Sequence, residues 1–213
     1  MYGIPCEFNL QILSANPSLI VCVYCGSSSG RDDVYIRQAE QLGKLLVQNN
    51  MGLIYGGAKI GVMGAIADTV IGEGGSVIGV IPEQLVDREV AHNGLTQMHI
   101  VNGMHERKAL MAEKADAFIA LPGGFGTLDE LFEILTWSQL GIHQKPCGLL
   151  NIDGYFDALE TFITNAVEQG FVRSEHKEAL RIHNKAESLV TEIKQHHISR
   201  LNDQPLRKPE IPK

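Results

Sequence analysis

The chain contains no Gly-Lys-Ser/Thr triplet, no Lys/Arg-rich run and no window of about 18 consecutive apolar residues, the length that spans a bilayer. Each absence removes a class of function. Without the triplet there is no P-loop. Without a basic run, and at a net charge of −7, there is no electrostatic grip on a nucleic-acid backbone. A small anion remains open, because it needs only backbone N–H groups and one or two placed cations. No membrane-spanning helix is expected, and residues 1–18 lack the positive start and long apolar run of a secretory signal. The expectation is a soluble, cytoplasmic protein with a short N-terminal extension. Cysteines number four, and the only close pair, Cys22 and Cys25, lies in a strand-like run where positions three apart point to opposite faces. They read as core thiols rather than a metal clip or redox pair, and no metal site is expected. A dinucleotide fingerprint is also missing. The first glycine loop reads GSSSG instead of G-x-G-x-x-G, and the second strand ends in Gly56-Gly57 where an acid would be needed. No cofactor is expected.

What the chain does have is glycine, 22 residues of it, in a 213-residue sequence that is 44% hydrophobic. That is enough apolar material for one core and ample material for tight turns. Short apolar runs predict strands at 19–25, 52–55, 76–81, 98–101, 117–121 and 147–151, with a weaker one at 180–183. Helical periodicity predicts helices at 33–49, 62–72, 104–114, 128–140, 155–168 and 186–196. Near-continuous apolar strands alternating with helices mean a parallel sheet covered on both faces. The fold class is α/β, a Rossmann-like doubly wound parallel sheet in a single domain over residues 19–198. Residues 199–213 mix proline with scattered charge and read as a flexible tail.

In such sheets ligands bind beyond the C-terminal ends of the strands, where the strand order reverses. Three glycine-rich strand-to-helix loops lie there: residues 25–30, 55–61 and 121–127. The last, LPGGFGT, precedes a helix predicted to begin near Leu128, so the backbone N–H groups of the run Gly123-Gly124-Phe125-Gly126-Thr127 and the helix terminus form a candidate monophosphate site. A plain turn with Thr127 as N-cap is the alternative. Thr127-Leu-Asp-Glu130 fits a capping box, which would account for Glu130 structurally. Against this, Glu130 stands about 4.5 Å along the helix from a bound phosphate, within reach of an attached sugar. Asp129 points about 100° away and reads as a first-turn charge for the helix dipole. The run Met104-His-Glu-Arg107-Lys108 opens another helix. Taking adjacent strands to bring their following loops together, Arg107 is expected to face the same crevice, although an Arg-Lys pair on a helix is by default a solvated face.

Together, "PGGFGTLDE" (122–130), "MHERKALM" (104–111), "GGAKIGVMGAIAD" (56–68) and "CVYCGSSSG" (22–30) closely resemble the LONELY GUY (LOG) family, in order and spacing, over roughly residues 19–190. The resemblance implies hydrolysis of the N-glycosidic bond of a purine nucleoside 5′-monophosphate, AMP or an N6-modified cytokinin form, to free base and ribose 5-phosphate. It implies catalysis by Arg107 and Glu130, phosphate on Gly124, Gly126 and Thr127 with help from Gly56 and Gly57, and a homodimer with sites near its interface. Ser27, Met104 and Lys108 are further substrate-contact candidates. Family members often carry three consecutive glycines where this chain has Gly56-Gly57-Ala58. Apolar residues Leu128, Leu131, Phe132, Leu135, Trp137 and Leu140 on the helix after the phosphate loop fit either a dimer face or intramolecular core. Two rival functions remain at this point: a pyridoxal-phosphate decarboxylase with Lys59, Lys108 or Lys145 as Schiff-base lysine, and a non-catalytic nucleotide or cofactor carrier.

Overall fold

A computed structural model describes residues 17–87 and 90–203. Seven strands, β1 (Leu19–Tyr24), β2 (Met51–Tyr55), β3 (Val77–Pro82), β4 (Gln97–Val101), β5 (Ala117–Ala120), β6 (Cys147–Leu150) and β7 (Leu180–His183), form one sheet in the order β4-β3-β2-β1-β5-β6-β7. Every pairing is parallel. The helices are α1 (Val34–Gln48), α2 (Gly61–Gly72), α3 (Met104–Lys114), α4 (Phe125–Gln139), α5 (Asp157–Glu168), α6 (Ser174–Glu178) and α7 (Ala186–Asp203).

The period-2 alternation of β1 shows how the sheet acquires two cores. Leu19, Val21, Val23 and Cys25 point into a cluster with α1, α2 and α7, whereas Cys22 and Tyr24 point into the opposite cluster with residues of α3, α4 and α5. The two cysteines therefore lie on opposite faces, as their spacing predicts, and both are fully buried. Cys6 lies outside the described residues.

The chain steps outward from β1 through β2 and β3 to β4, then returns to lay β5 against the other side of β1. The β1/β5 boundary is thus where the order reverses, and the loops after these strands part to leave the crevice of a doubly wound fold. Strand β4 is an edge strand, three positions from β1. The expectation that Arg107 reaches the crevice through adjacent strands is therefore wrong in its reason. Helix α3 carries Arg107 there by crossing the sheet face on its way from the β4 edge back to β5, touching β3, β2 and β1 as it goes.

The strands match their predicted positions to within a residue or two. The helices depart more. Helix α4 begins at Phe125, three residues earlier than predicted, and α5 begins at Asp157 after a 3-10 turn at Ile152–Gly154. Helix α7 continues through Asp203, so residues 199–203 of the expected tail are helical. Here the hydrophobic anchors Ala186, Leu189, Val190 and Ile193 commit the helix to the core, and it propagates beyond them. Residues 204–213, and residues 1–16 of the N-terminal extension, lie outside the described residues.

At the sheet edge opposite the crevice, His143, His196 and His197 all have lowered pKa values. Burial is the first cause for each, and Arg200 adds repulsion to all three. A histidine whose folded pKa lies below its unfolded value of about 6.5 gives stability that is complete above that value and is lost as pH falls through it. The melting temperature is expected to fall between about pH 7 and pH 5, and the double variant His196→Gln/His197→Leu should flatten that fall. A steeper fall in the variant would contradict this account.

Candidate active site

The first and third glycine loops are joined across the β1/β5 boundary. The Gly26 N–H donates to the Pro122 carbonyl at 3.2 Å, and the Leu121 N–H to that of Tyr24 at 2.9 Å. The Gly26 carbonyl in turn accepts from the Met63 N–H of α2 at 3.1 Å, which draws the second loop in. Gly61 makes this approach possible. Its φ is +63°, and a Cβ there would stand 2.3 Å from the Ser27 carbonyl oxygen. The Ser27 side chain remains exposed at the rim.

Helix α4 starts with Gly124 as N-cap, and no side chain caps it. Thr127 is the third helical residue rather than the cap, so the capping box read from the sequence does not form and Glu130 lies in the second turn. The earlier start follows from Gly123, where a Cβ would meet Thr127 Oγ1 at 2.1 Å; only glycine lets the threonine fold beneath the loop. The N–H groups of Gly124, Phe125, Gly126 and Thr127 donate to no acceptor among the described residues, while that of Leu128 donates to the Gly124 carbonyl. Gly124 and Gly126 are exposed, with open space where a Cβ would point. Four N–H groups left without an acceptor at the positive end of a 15-residue helix are chemically able to receive an anion.

One turn behind that terminus, Glu130 meets Arg107. Arg107 Nη2 lies 3.8 Å from Glu130 Oε1, and both residues are buried, at 3% and 5% exposure. Arg107 Nη1 lies 3.8 Å from Met104 Sδ, and its Nε has no partner among the described residues. The guanidinium rests on Gly56, where a Cβ would stand 1.9 Å from Nη2. Gly56 thus supplies room for the arginine. The nearby Cys25 thiol is pushed far above its ordinary pKa, first by burial and then by the Glu130 charge, so it is not a thiolate nucleophile.

Lys108 turns away from this pair. Its ammonium bridges Asp129 at 3.1 Å and Glu133 at 3.0 Å, so Asp129 is an ion-pair partner rather than a charge merely facing the helix dipole. Burial disfavours the charged lysine, but the bonds to Glu133 and Asp129 outweigh it and raise the pKa. Lys108 is therefore poorly suited to a Schiff base. Lys59 is exposed. Lys145 has a pKa lowered chiefly by burial, but it precedes β6 at the sheet edge opposite the crevice, where it donates to the Ala112 carbonyl at 2.7 Å.

Two contacts had no local signal in the sequence. The turn after β2 is held from outside by residues 90–92: the Lys59 N–H donates to the Val90 carbonyl, the His92 N–H to the Gly57 carbonyl at 3.0 Å, and Ala58 bridges to Ala91. His92 Nδ1 accepts from the Gly94 N–H, which leaves Nε2 to donate to Asp68 at 2.9 Å. Ala58, in place of a third glycine, is fully buried in this turn, and its carbonyl accepts from the Tyr55 hydroxyl. The second contact is from the Tyr155 hydroxyl to the Gly123 carbonyl, at 2.6 Å. Among the described residues no His/Cys/Asp/Glu group is arranged to hold a metal, and no helix is long and apolar enough to cross a membrane.

The Gly56 contact gives a direct test. Gly56→Ala is expected to displace the Arg107 guanidinium from Glu130 and to lower any turnover that depends on this pair by about a hundredfold per folded molecule. Unchanged turnover would show that the observed arginine position is not required.

A family profile described as "Possible lysine decarboxylase" matches residues 63–193. The cytokinin riboside 5′-monophosphate phosphoribohydrolase LOG of Oryza sativa subsp. japonica is 49% identical over 83% of this chain and 73% of its own. An Arabidopsis thaliana protein of the same activity is 47% identical over 89% of this chain and 88% of its own. Among solved structures, the Moco carrier protein of Chlamydomonas reinhardtii superposes with a TM-score of 0.65 at 20% identity, covering 85% of this chain and 98% of that one. The molybdenum cofactor binding protein of Rippkaea orientalis gives 0.63 at 22% identity, over 83% and 96%. At that identity the structural likeness speaks for the fold alone. The relatives that are nearly half identical, together with the profile match, establish that the chain belongs to the LOG family of cytokinin riboside 5′-monophosphate phosphoribohydrolases.

Proposed function

We propose that the crevice hydrolyses the N-glycosidic bond of a purine nucleoside 5′-monophosphate, AMP or an N6-modified form, to free base and ribose 5-phosphate. The observation that carries this reading is the buried Arg107–Glu130 pair, one helical turn behind an open glycine-rich helix terminus. The phosphate sits on the N–H groups of Gly124, Gly126 and Thr127. The sugar then lies over the second turn of α4, about 4.5 Å further along. Breaking the ribosyl bond builds positive charge on the sugar, which the Glu130 carboxylate stabilises directly or by activating the attacking water. Arg107 counters charge on the phosphate side or on the departing base. Gly56 and Gly57 form the facing wall, and Ser27 and Met104 the rim. Lys108 braces α3 against α4 rather than touching substrate.

The test is a panel of adenosine, AMP, ADP, ATP and N6-modified AMP, run with wild type and Glu130→Gln. Monophosphates should be cleaved, and adenosine and ATP hardly at all. Glu130→Gln should fold and bind AMP while losing at least about a hundredfold in turnover. Faster cleavage of adenosine than of AMP refutes the phosphate anchor. Binding without turnover in the wild type would favour a carrier.

The same reading includes a cytoplasmic homodimer. Phe125 is 93% exposed, Leu140 68% and Ile142 64%, and Phe132 lies between them on α4 at 38%. This apolar strip starts at the anion loop and runs down α4, so a partner laid on it would border the site. Light scattering should give twice the 23.3 kDa chain mass, and Leu140→Glu/Ile142→Glu should shift the protein to monomer. A wild type at monomer mass would exclude the dimer.

A further inference from the structure

The bond from Tyr155 to Gly123 is built rather than incidental. Between β6 and α5 the backbone takes two successive left-handed residues, Asp153 at φ +51° and Gly154 at φ +71°. The turn closes on Asn151, whose Oδ1 accepts from the Phe156 N–H at 2.8 Å and whose Nδ2 donates to Asp157 at 2.7 Å. This turn projects Tyr155 back across the crevice rim. Its ring packs edge-on against Phe156 at 4.9 Å and against Tyr35 of α1 at 5.8 Å. Gly30 completes the seat, since a Cβ there would stand 2.7 Å from the Tyr35 ring. Tyr155 therefore links the loop after β5 to Tyr35 in the first turn of α1, and Tyr35 in turn abuts Gly30 of the loop after β1.

In a trans peptide the carbonyl and the N–H point in opposite directions across one plane. Fixing the Gly123 carbonyl toward Tyr155 therefore fixes the Gly124 N–H away from Tyr155, and this N–H donates to no acceptor among the described residues. Glycine on both sides of this peptide leaves it free to flip unless something holds it. Gly123 and Gly124 supply no side chain to do so, and no N-terminal side-chain cap is present on α4.

We propose that Tyr155 is a positioning residue of the phosphate site: by tying back the Gly123 carbonyl, its hydroxyl presents the Gly124 N–H to the substrate phosphate. The inference rests on the phosphoribohydrolase reading above. The test uses wild type, Tyr155→Phe, which keeps the ring packing, and Tyr35→Phe, which removes a neighbouring hydroxyl that bonds to nothing in the phosphate loop. Ribose 5-phosphate binding is measured by calorimetry, alongside kcat and KM for AMP and the melting temperature. Tyr155→Phe should weaken ribose 5-phosphate binding and raise the AMP KM by about five- to tenfold, the effect of one hydrogen bond. Its kcat should stay within about twofold, and Tyr35→Phe should match wild type. Unchanged affinity in Tyr155→Phe, an equal loss in Tyr35→Phe, or a fall in kcat and melting temperature without a KM effect would each overturn the proposal. If the wild type binds ribose 5-phosphate but cleaves no monophosphate, the hydrolase reading fails, while the binding arm still decides the role of Tyr155.

Discussion

A guanidinium and a carboxylate held 3.8 Å apart and almost wholly out of water are costly to bury. Desolvation takes several kcal/mol per ion, about what their mutual attraction can return, so such a pair is weak evidence for stability. At Arg107 and Glu130 the balance is poorer still, because Arg107 Nε is buried without a partner among the described residues. A fold that only needed to hold α3 against α4 would do better with leucine at both positions. The rest of the site follows from placing this pair. Helix α3 must cross the sheet from the β4 edge to bring Arg107 over, and α4 must begin at the switch point so that its second turn faces the arginine.

Glycine is what lets the backbone come so close. At Gly56 it leaves space for the guanidinium, at Gly61 it lets α2 slide under the first loop, and at Gly123 it makes room for Thr127. Only Gly61 among these has positive φ, so at the other two the missing side chain matters more than conformational freedom. The exposed Gly124 and Gly126 serve differently again, leaving the backbone at the helix terminus uncovered by any side chain. A glycine-rich sequence thus reads as three distinct uses, and the sequence pattern alone does not separate them.

The sheet was legible because a parallel strand buried on both faces must be an apolar run, and the seven runs stand out between longer helical segments. The glycine loop before α4 and the reach of Glu130 along the helix were legible as a candidate phosphate-and-sugar site, whereas the catalytic roles proposed for Arg107 and Glu130 came from the family resemblance. What stayed hidden depended on contacts between distant segments. The start of α4 was misread because Thr127-Leu-Asp-Glu130 satisfies a capping pattern locally, while the packing of Thr127 under Gly123 decides otherwise. The route of Arg107 was misread because strand order is a tertiary fact. His92 and Tyr155 carry no local signal, since each acts on a loop more than 30 residues away.

The charges behind the third glycine loop resolve into one buried pair, Arg107 with Glu130, and one lysine, Lys108, shared by Asp129 and Glu133. Arg107 and Lys108 are neighbours on α3; Glu130 lies between Asp129 and Glu133 on α4. The helical turn sends Arg107 and Glu130 inward, and Lys108, Asp129 and Glu133 outward. Solvent then separates their roles. The outer group is wetter at one end, with Asp129 61% exposed against 26% for Glu133 and 11% for Lys108, and its contacts set the spacing of the two helices. The inner pair feels a lower dielectric, where a fixed charge acts strongly on any charge that develops beside it. One pair of helices thus holds its spacing with the outer charges and sets the costlier inner pair against the crevice, where the proposed chemistry would use it.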